Sequence, residues 1–180
     1  MNKKGQLTPI IYIIGGLIAI ILLSVAAMIG WGTVKTFTDE FIPEINQIGE
    51  VAPGNNLSEY SAVALAPVDS VVGNFGLMIG LIYIIGVVGI LALAFLYRNN
   101  QSGWLIALFV MSLLFLIMIA VFVSQTYEEF YLDQGELGAQ LRSASLASFL
   151  IINSPVILTI VGFIAGIIMF TGGKEDAFGI

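Results

Sequence analysis

The residues of this chain that could do chemistry are carboxylates, hydroxyls and amides, because the sequence contains neither histidine nor cysteine. The usual ligands for zinc, haem iron, copper and iron–sulfur clusters are therefore missing, and we expect no metal and no cofactor. Glu128 and Glu129 form a carboxylate pair that could act as acid and base or hold a cation. Adjacent helix positions point in different directions, which favours a solvated surface instead. The sequence predicts that the protein is not an enzyme.

The elements that carry these residues are predicted to lie in a membrane. Hydrophobic residues make up 58% of the chain, charged residues make up 10%, and the mean hydropathy is +1.02. A run of about 20 apolar residues crosses a hydrocarbon core of about 30 Å, and the chain has four such runs. We therefore predict an all-α polytopic membrane protein with one membrane domain over residues 1–180 and two acidic outer loops. The predicted spans are residues 7–30, 71–97, 104–126 and 146–171, and the predicted outer loops are residues 31–70 and 127–145.

The second and third predicted spans are separated only by a short polar segment, residues 98–102. Such a short link leaves room for little more than a reversal of direction, so we expect these spans to be antiparallel neighbours. The third span is rich in leucine and phenylalanine, and we expect it to face lipid or a large partner. Tyr127, Phe130 and Tyr131, just beyond it, are expected to form an interfacial aromatic belt.

Small residues recur along one face of several spans. Small residues on a membrane helix let a neighbouring helix approach closely, although glycine and alanine are also simply common in such helices. In the first span they fall within an arc of roughly 60° at about 100° per residue. The second and fourth spans each contain a GxxxG pair. The predicted packing residues are Gly15, Ala19, Ala26, Gly30, Gly73, Gly76, Gly80, Gly162 and Gly166.

The fourth uncharged run, residues 143–173, is too long for one straight crossing and contains Asn153, Ser154 and Pro155. Proline removes a backbone hydrogen bond from the preceding turn, so we predict a kink at these three residues. A broken helix with polar residues can form a transporter site, but one kink without charges is more often structural.

The first loop contains two further features. Apolar residues between Phe37 and Ile48 recur at helical spacing, which predicts an amphipathic helix near the membrane surface. Asn56 begins an Asn-Leu-Ser triplet that matches the acceptor pattern for N-glycosylation.

The amino-terminal residues Lys3, Lys4, Gly5 and Gln6 precede an apolar helix. This arrangement resembles the class III signal of archaeal type IV pilins and archaellins, in which a peptidase cuts after glycine. The resemblance covers about the first 25 residues, and it implies an archaeal or archaeal-virus origin. Such pilins have one apolar helix and a globular head, whereas three more spans follow here, so we expect Met1 to Gly5 to be retained.

The distribution of charge predicts the threading. If the amino terminus is cytoplasmic, or interior in a virion, the inner side carries Lys3, Lys4, Arg98 and Lys174, and the outer loops carry only Lys35 and Arg142 among basic residues. The positive-inside rule favours that orientation for both termini. No predicted span has an ionisable aspartate, glutamate, lysine or arginine at mid-membrane, where proton relays and voltage sensors usually need one.

Three classes of function fit these patterns. The first is a non-catalytic structural or accessory subunit that packs in a larger membrane assembly, cellular or viral. The second is a small pore or holin-like protein, which would need a polar helix face, and the third is a small transporter. We favour the first, because Asn74, Ser112, Ser148 and Asn153 are too scattered to line a pore. The expected partners are the lipid bilayer and other membrane proteins or copies of the chain. Nucleic acid is not expected, because there is no basic patch.

Overall fold

The computed structural model describes residues 3–48, 50–52, 55–98 and 103–171. Almost all of these residues are helical, and the predicted all-α class is confirmed. A small antiparallel ladder joins the two short strands. The elements are α1 (Lys3–Ile48), β1 (Glu50–Ala52), β2 (Asn55–Asn56), α2 (Leu57–Leu96), α3 (Gly103–Leu132), α4 (Glu136–Ser143), α5 (Ser145–Ile152) and α6 (Ser154–Thr171).

Four helices are long and apolar enough to cross a membrane. They include residues Leu7–Ile45 of α1, Ser70–Leu96 of α2, Trp104–Leu132 of α3 and Ser154–Thr171 of α6. Large apolar side chains cover the outside of the bundle, and Leu23, Met111 and Phe122 are each about 70% exposed. An exterior of this kind requires an apolar solvent, which a bilayer supplies. The chain is therefore a multi-pass membrane protein.

The membrane helices form a four-membered bundle in which α1 and the α5–α6 pair lie on one diagonal. Helix α1 packs against α2 and α3, and α6 packs against the same two helices from the opposite corner. Within the described residues, α2 and α3 have almost no contact along their lengths. The prediction that they are neighbours was therefore wrong, although the two helices do run antiparallel. Helices α1 and α6 lie between α2 and α3 instead.

Two segments that the sequence analysis assigns to loops are largely helical. Helix α1 continues through residues 31–48, and α2 already begins at Leu57. The sequence has no glycine from Thr33 to Ile48, and the emerging helix keeps tertiary contacts with α4, so nothing ends it at the membrane surface. In the second predicted loop, α3 extends to Leu132 and α4 follows. Helix α1 has 46 residues, which is about 69 Å at ~1.5 Å per residue. It therefore extends well beyond a hydrocarbon core of about 30 Å.

Two apolar clusters form the inside of the bundle. The larger one joins α1, α2, α3 and α6 and contains Leu17, Ile21 and Leu116. The smaller one lies where α4 and α5 meet α1 and contains Met28, Trp31 and Leu141. Short α4 packs against α1 and α3 at this end of the bundle.

Helix α3 is not a purely lipid-facing helix, so the expectation that it faces lipid or a partner was only half right. Phe115 and Phe122 are exposed, but Leu105, Phe109 and Leu113 are buried against the rest of the bundle. Bulky residues on this face are needed because the opposing helix, α6, presents glycine.

Candidate functional site

The GxxxG pair of α2 lies against α5 inside the chain. A Cβ atom placed on Gly76 would lie 2.6 Å from Ala144 Cβ and 3.3 Å from Trp31 Cη2. A Cβ on Gly80 would lie 2.9 Å from Leu146 Cγ and 3.3 Å from the Ala147 backbone nitrogen. Both glycines therefore allow α5 to approach α2 to backbone distance.

The GxxxG pair of α6 meets α3. Gly162 is covered by the Leu113 side chain, and a Cβ on Gly166 would lie 2.8 Å from Phe109 Cε1. Phe109 also stacks edge-on against Phe170, with ring centroids 5.6 Å apart. At both glycines a large side chain of α3 packs onto α6, so the two helix backbones are not in contact here.

The four predicted small residues of α1 behave differently, because they lie on the exposed side of the helix. Gly15, Ala19, Ala26 and Gly30 are all exposed. A Cβ atom on Gly15 or Gly30 would have nothing within 4 Å, and the same holds for Gly73 of α2. We call Gly15, Ala19, Ala26 and Gly30 of α1 the outer stripe. No described residue of the chain covers the two glycines of the outer stripe.

The helix is interrupted at the predicted kink, between α5 and α6. The Asn153 backbone nitrogen and Nδ2 both donate to the Phe149 carbonyl, at 3.0 and 2.8 Å. The Asn153 carbonyl accepts from the backbone nitrogens of Val156 and Ile157, at 3.1 and 3.0 Å. Asn153 therefore ends one helix and begins the next. Ser154 is fully buried beside it, and its hydroxyl has no hydrogen-bond partner among the described residues.

Two hydroxyl groups of α3 hold the interrupted helix in place. Ser124 Oγ donates to the Ile152 carbonyl at 2.6 Å. The Tyr127 hydroxyl lies 2.8 Å from Ser148 Oγ, which itself donates to the Leu141 carbonyl at 2.6 Å. The serine proton is thus used, so Tyr127 is the donor of the first bond. These bonds satisfy carbonyls that the breaks around α5 leave without helical partners.

Charged and polar residues surround α4 at the end of the bundle. Lys35 and Asp39 form an ion pair at 3.1 Å, and Gln140 Nε2 donates to Asp39 at 2.7 Å. The uncharged part of α1 ends at Val34, so these groups lie beyond its membrane-crossing part. A hydrogen bond with the Glu136 carboxyl raises the pKa of Glu40 above its ordinary value, and repulsion between the two carboxylates acts in the same direction.

Arg142 closes the other side of α4. Its Nη1 atom donates to the backbone carbonyls of Tyr131 at 2.6 Å and Asp133 at 2.8 Å. These carbonyls lie at the end of α3, where helical partners are lacking and a cation is favoured. The arginine therefore fixes α4 to α3, just as Gln140 fixes α4 to α1.

Sequence reasoning missed several of these residues. Tyr127 is fully buried and bonded to Ser148, so its assignment to an aromatic belt was wrong. Its position is four residues from Val123 and seven from Ala120, which are also buried, and this helical period was the available signal. Nothing in the sequence singled out Gly32, whose Cβ position lies 2.7 Å from Leu137 Cδ1.

The remaining predicted residues lie apart from one another. Asn74 Nδ2 donates to the Ser70 carbonyl at 2.8 Å, so its amide, like that of Asn153, bonds within its own segment. Asn56 lies in β2, and its side chain is not among those that the structure describes. The same holds for the side chains at positions 3–6, although their backbone belongs to α1. Among the described residues, no group of three or more aspartate or glutamate residues could hold a metal ion.

The fold and these contacts define a helical multi-pass membrane protein with tightly packed inner faces, in which α1 carries exposed small residues. Comparisons with protein-family models, curated proteins and solved structures found no match.

Proposed function

We propose that this chain is a non-catalytic subunit of a larger membrane assembly and that it meets its neighbours through the outer stripe of α1. The observation that carries this proposal is the contrast among the predicted small residues. Gly76, Gly80, Gly162 and Gly166 are covered within the chain, whereas the glycines of the outer stripe have nothing within 4 Å of their Cβ positions.

The physical argument concerns what drives helices together in lipid. Acyl chains are as apolar as leucine, so burial of apolar area gives little association, and close van der Waals packing takes its place. A face of four small residues over 16 positions lets a second helix approach along four turns. Gly15 and Ala19 form one small-xxx-small pair, and Ala26 and Gly30 form another. The neighbours are membrane proteins or copies of this chain, in a cellular complex or a viral membrane.

Cross-linking in native membranes tests this function, and the absence of cysteine makes it clean. Gly30→Cys, labelled with a maleimide–benzophenone reagent and irradiated, is expected to give a protein adduct of higher mass. Met111→Cys is the matched control, because Met111 is 73% exposed on α3, away from the outer stripe. Equal adduct yields from the two positions, or none from Gly30→Cys, would contradict the proposal.

A transporter or pore is the second candidate. The observation that favours it is the helix interruption at Asn153, beside the Ser154 hydroxyl, which has no hydrogen-bond partner in the described part of the chain. Broken membrane helices of this kind form ion sites in transporters. Ion or solute flux in liposomes that disappears on Asn153→Ala would replace the subunit proposal with this one.

The proposal includes an orientation and an origin. The start of α1 and Arg98 lie at one end of the bundle, and Lys35 and Arg142 lie at the other, as the contacts of Gly16 with Ile90 and Gly32 with Leu141 require. We place the first end on the cytoplasmic or virion-interior side by the positive-inside rule.

The class III resemblance supports an archaeal or archaeal-virus origin. Intact-mass measurement is expected to show Met1 to Gly5 retained, and a chain beginning at Gln6 would instead support pilin-type processing.

A further inference from the structure

A polar cavity of 230 Å³ opens between α2 and the junction of α4 with α5. Asn74 of α2, Ser143 of α4 and Ser145 of α5 line it, and all three residues are exposed, so a ligand can reach their side chains. Three larger cavities along the bundle are lined almost entirely by apolar side chains. This cavity is therefore a polar site in an otherwise apolar surface.

The cavity lies at the depth where the hydrocarbon core meets the headgroups. The charged residues that flank the uncharged run of α2 are Asp69 and Arg98, 29 positions apart, which is about 43 Å at ~1.5 Å per residue. A bilayer is about 40–45 Å thick with its headgroups and about 30 Å thick without them. Asn74 lies about 7.5 Å inside Asp69, which is close to the depth of one headgroup layer. The molecules that surround the cavity are therefore lipids at their headgroup end.

The polar groups of the cavity include both acceptors and donors that the described residues leave unused. Asn74 Nδ2 donates to the Ser70 carbonyl, and Ser143 Oγ donates to the Gln140 carbonyl. Asn74 Oδ1 and the lone pairs of Ser143 Oγ therefore remain as acceptors. The Ser145 hydroxyl forms no hydrogen bond with a described residue, and α5 begins there without a side-chain cap. Donors are therefore unused as well.

We propose that this cavity binds the uncharged, hydroxyl-bearing headgroup of a membrane lipid, such as the sugar of a glycolipid. A hydroxyl group both donates and accepts, so it matches the unused acceptors and donors together. The phosphate and ester oxygens of a phospholipid can only accept, and they would leave Asn74 Oδ1 and Ser143 Oγ unpaired. This site does not depend on the assembly proposed above.

Charge and size also favour a small neutral headgroup. Both basic side chains that the structure describes at this end are engaged, Lys35 with Asp39 and Arg142 with two carbonyls at the end of α3, so neither is left for a phosphate. The volume is below the about 300–1,000 Å³ of sites for drug-sized molecules, which suits one sugar ring with the lipid chains outside. Leu77 lines the cavity one turn deeper and is 56% exposed, so it offers an apolar surface to those chains.

Trp31 also lines the cavity and provides the readout of binding. The chain has two tryptophans, so Trp104→Phe leaves Trp31 as the only one. The full-length Trp104→Phe protein is placed in phosphatidylcholine nanodiscs with increasing fractions of glucosyl diacylglycerol whose chains are brominated, because bromine quenches tryptophan fluorescence at short range. We expect saturable quenching by the glucosyl lipid. Brominated phosphatidylcholine at the same fractions is expected to quench less and without saturation.

Two variants remove polar groups of the cavity. Ser145→Ala and Asn74→Leu are each expected to weaken binding of the glucosyl lipid about two- to tenfold, the effect of one hydrogen bond. Thr126→Val is the matched control and should leave binding unchanged. Thr126 also carries a hydroxyl at this end of the bundle, but it donates to the Phe122 carbonyl of its own helix and does not line the cavity.

Several results would overturn the proposal. Equal quenching by the two brominated lipids would show that the cavity holds only water, and saturable quenching that both variants leave unchanged would place the lipid elsewhere. Tighter binding of phosphatidylglycerol than of the glucosyl lipid would show that the site selects an anion. Displacement by free glucose would show that it takes a soluble sugar instead of a lipid. In phosphatidylcholine alone, Ser145→Ala should unfold at the parent temperature, and a lower temperature would show that its hydroxyl is already bonded.

Discussion

At the scale of single residues, most polar side chains in the bundle serve to satisfy backbone groups. Ser124, Ser148 and Asn153 each bond to a carbonyl near a helix break, and Tyr127 bonds to one of these serines. In hydrocarbon no water is present to donate a hydrogen bond to an unpaired carbonyl, so a helix break there is costly. Hydroxyl groups that donate to these carbonyls remove that cost. Thr36, Tyr83 and Ser154 differ, because their buried hydroxyls have no hydrogen-bond partner among the described residues.

The Tyr127–Ser148 pair allows a test of this role. Tyr127→Phe should destabilise the bundle by about 1 kcal/mol or less, because Ser148 keeps its bond to Leu141. Ser148→Ala should cost more, about 2–3 kcal/mol, since it leaves both the tyrosine hydroxyl and the carbonyl unpaired. Equilibrium unfolding in mixed micelles measures both. The double variant should be destabilised by less than the sum of the two single-variant costs. A cost equal to that sum would show that the two hydroxyls do not interact.

The carboxyl pair Glu40–Glu136 makes a second residue-scale prediction, which concerns pH. The folded-state pKa of Glu40 lies above its ordinary value of 4.5, so the contact stabilises most below the ordinary pKa and is lost as pH rises through the raised one. We expect the amides of α4 to lose hydrogen-exchange protection, after correction for intrinsic rates, between acidic and neutral pH. Glu40→Gln keeps a donor at every pH, so protection that still falls in this variant would refute the assignment.

At the scale of elements, glycine has two uses in this chain. In the two GxxxG pairs of α2 and α6 it makes room for a neighbour, and on the outer stripe it leaves the helix surface uncovered by described residues. Glycine in a helix interior costs roughly 0.5–1 kcal/mol relative to alanine, so each use has a measurable signature.

Replacing single glycines by alanine separates these uses. Gly76→Ala should destabilise the isolated chain by about 1–3 kcal/mol, because the new Cβ would meet Ala144 Cβ, which is fixed to its backbone. Gly15→Ala is the matched control on open surface and should be neutral or stabilising by up to about 1 kcal/mol. Thermal unfolding in detergent reports both. Comparable losses at the two sites would mean that the outer stripe is covered within the chain.

At the scale of the whole molecule, both termini and the α2–α3 link are predicted on one side of the membrane. Gln134→Cys and Asn56→Cys should react with an impermeant thiol reagent added outside intact cells, and Asn100→Cys should react only after permeabilisation. The starting chain has no cysteine to interfere. Labelling of Asn100→Cys alone in intact cells would reverse the topology.

The sequence was a good guide where one physical property decides the outcome. Uncharged length predicted four membrane helices, and Pro155, two residues after Asn153, indicated the break. The neighbours of each helix could not be predicted, because Gly162 does not reveal whether α2 or α3 will supply the side chain that covers it. Tyr127 illustrates a similar ambiguity. A tyrosine at the end of a span fits an interface and a helix contact equally well, and only the facing Ser148 decides between them.

The diagonal placement of α2 and α3 affects how the bundle forms during synthesis. When α3 leaves the ribosome after α2, the helix just before it offers almost no contact surface, and only α1 is available as a packed neighbour. Helix α6, the last of the four, packs against both α2 and α3 and so closes the ring. In the complete bundle, Phe109 and Leu113 of α3 pack onto the glycines of α6. Until α6 inserts, these two side chains face lipid or a chaperone instead. The contacts that join α2 to α3 through a common neighbour on this side of the bundle can therefore form only after α6 has been made.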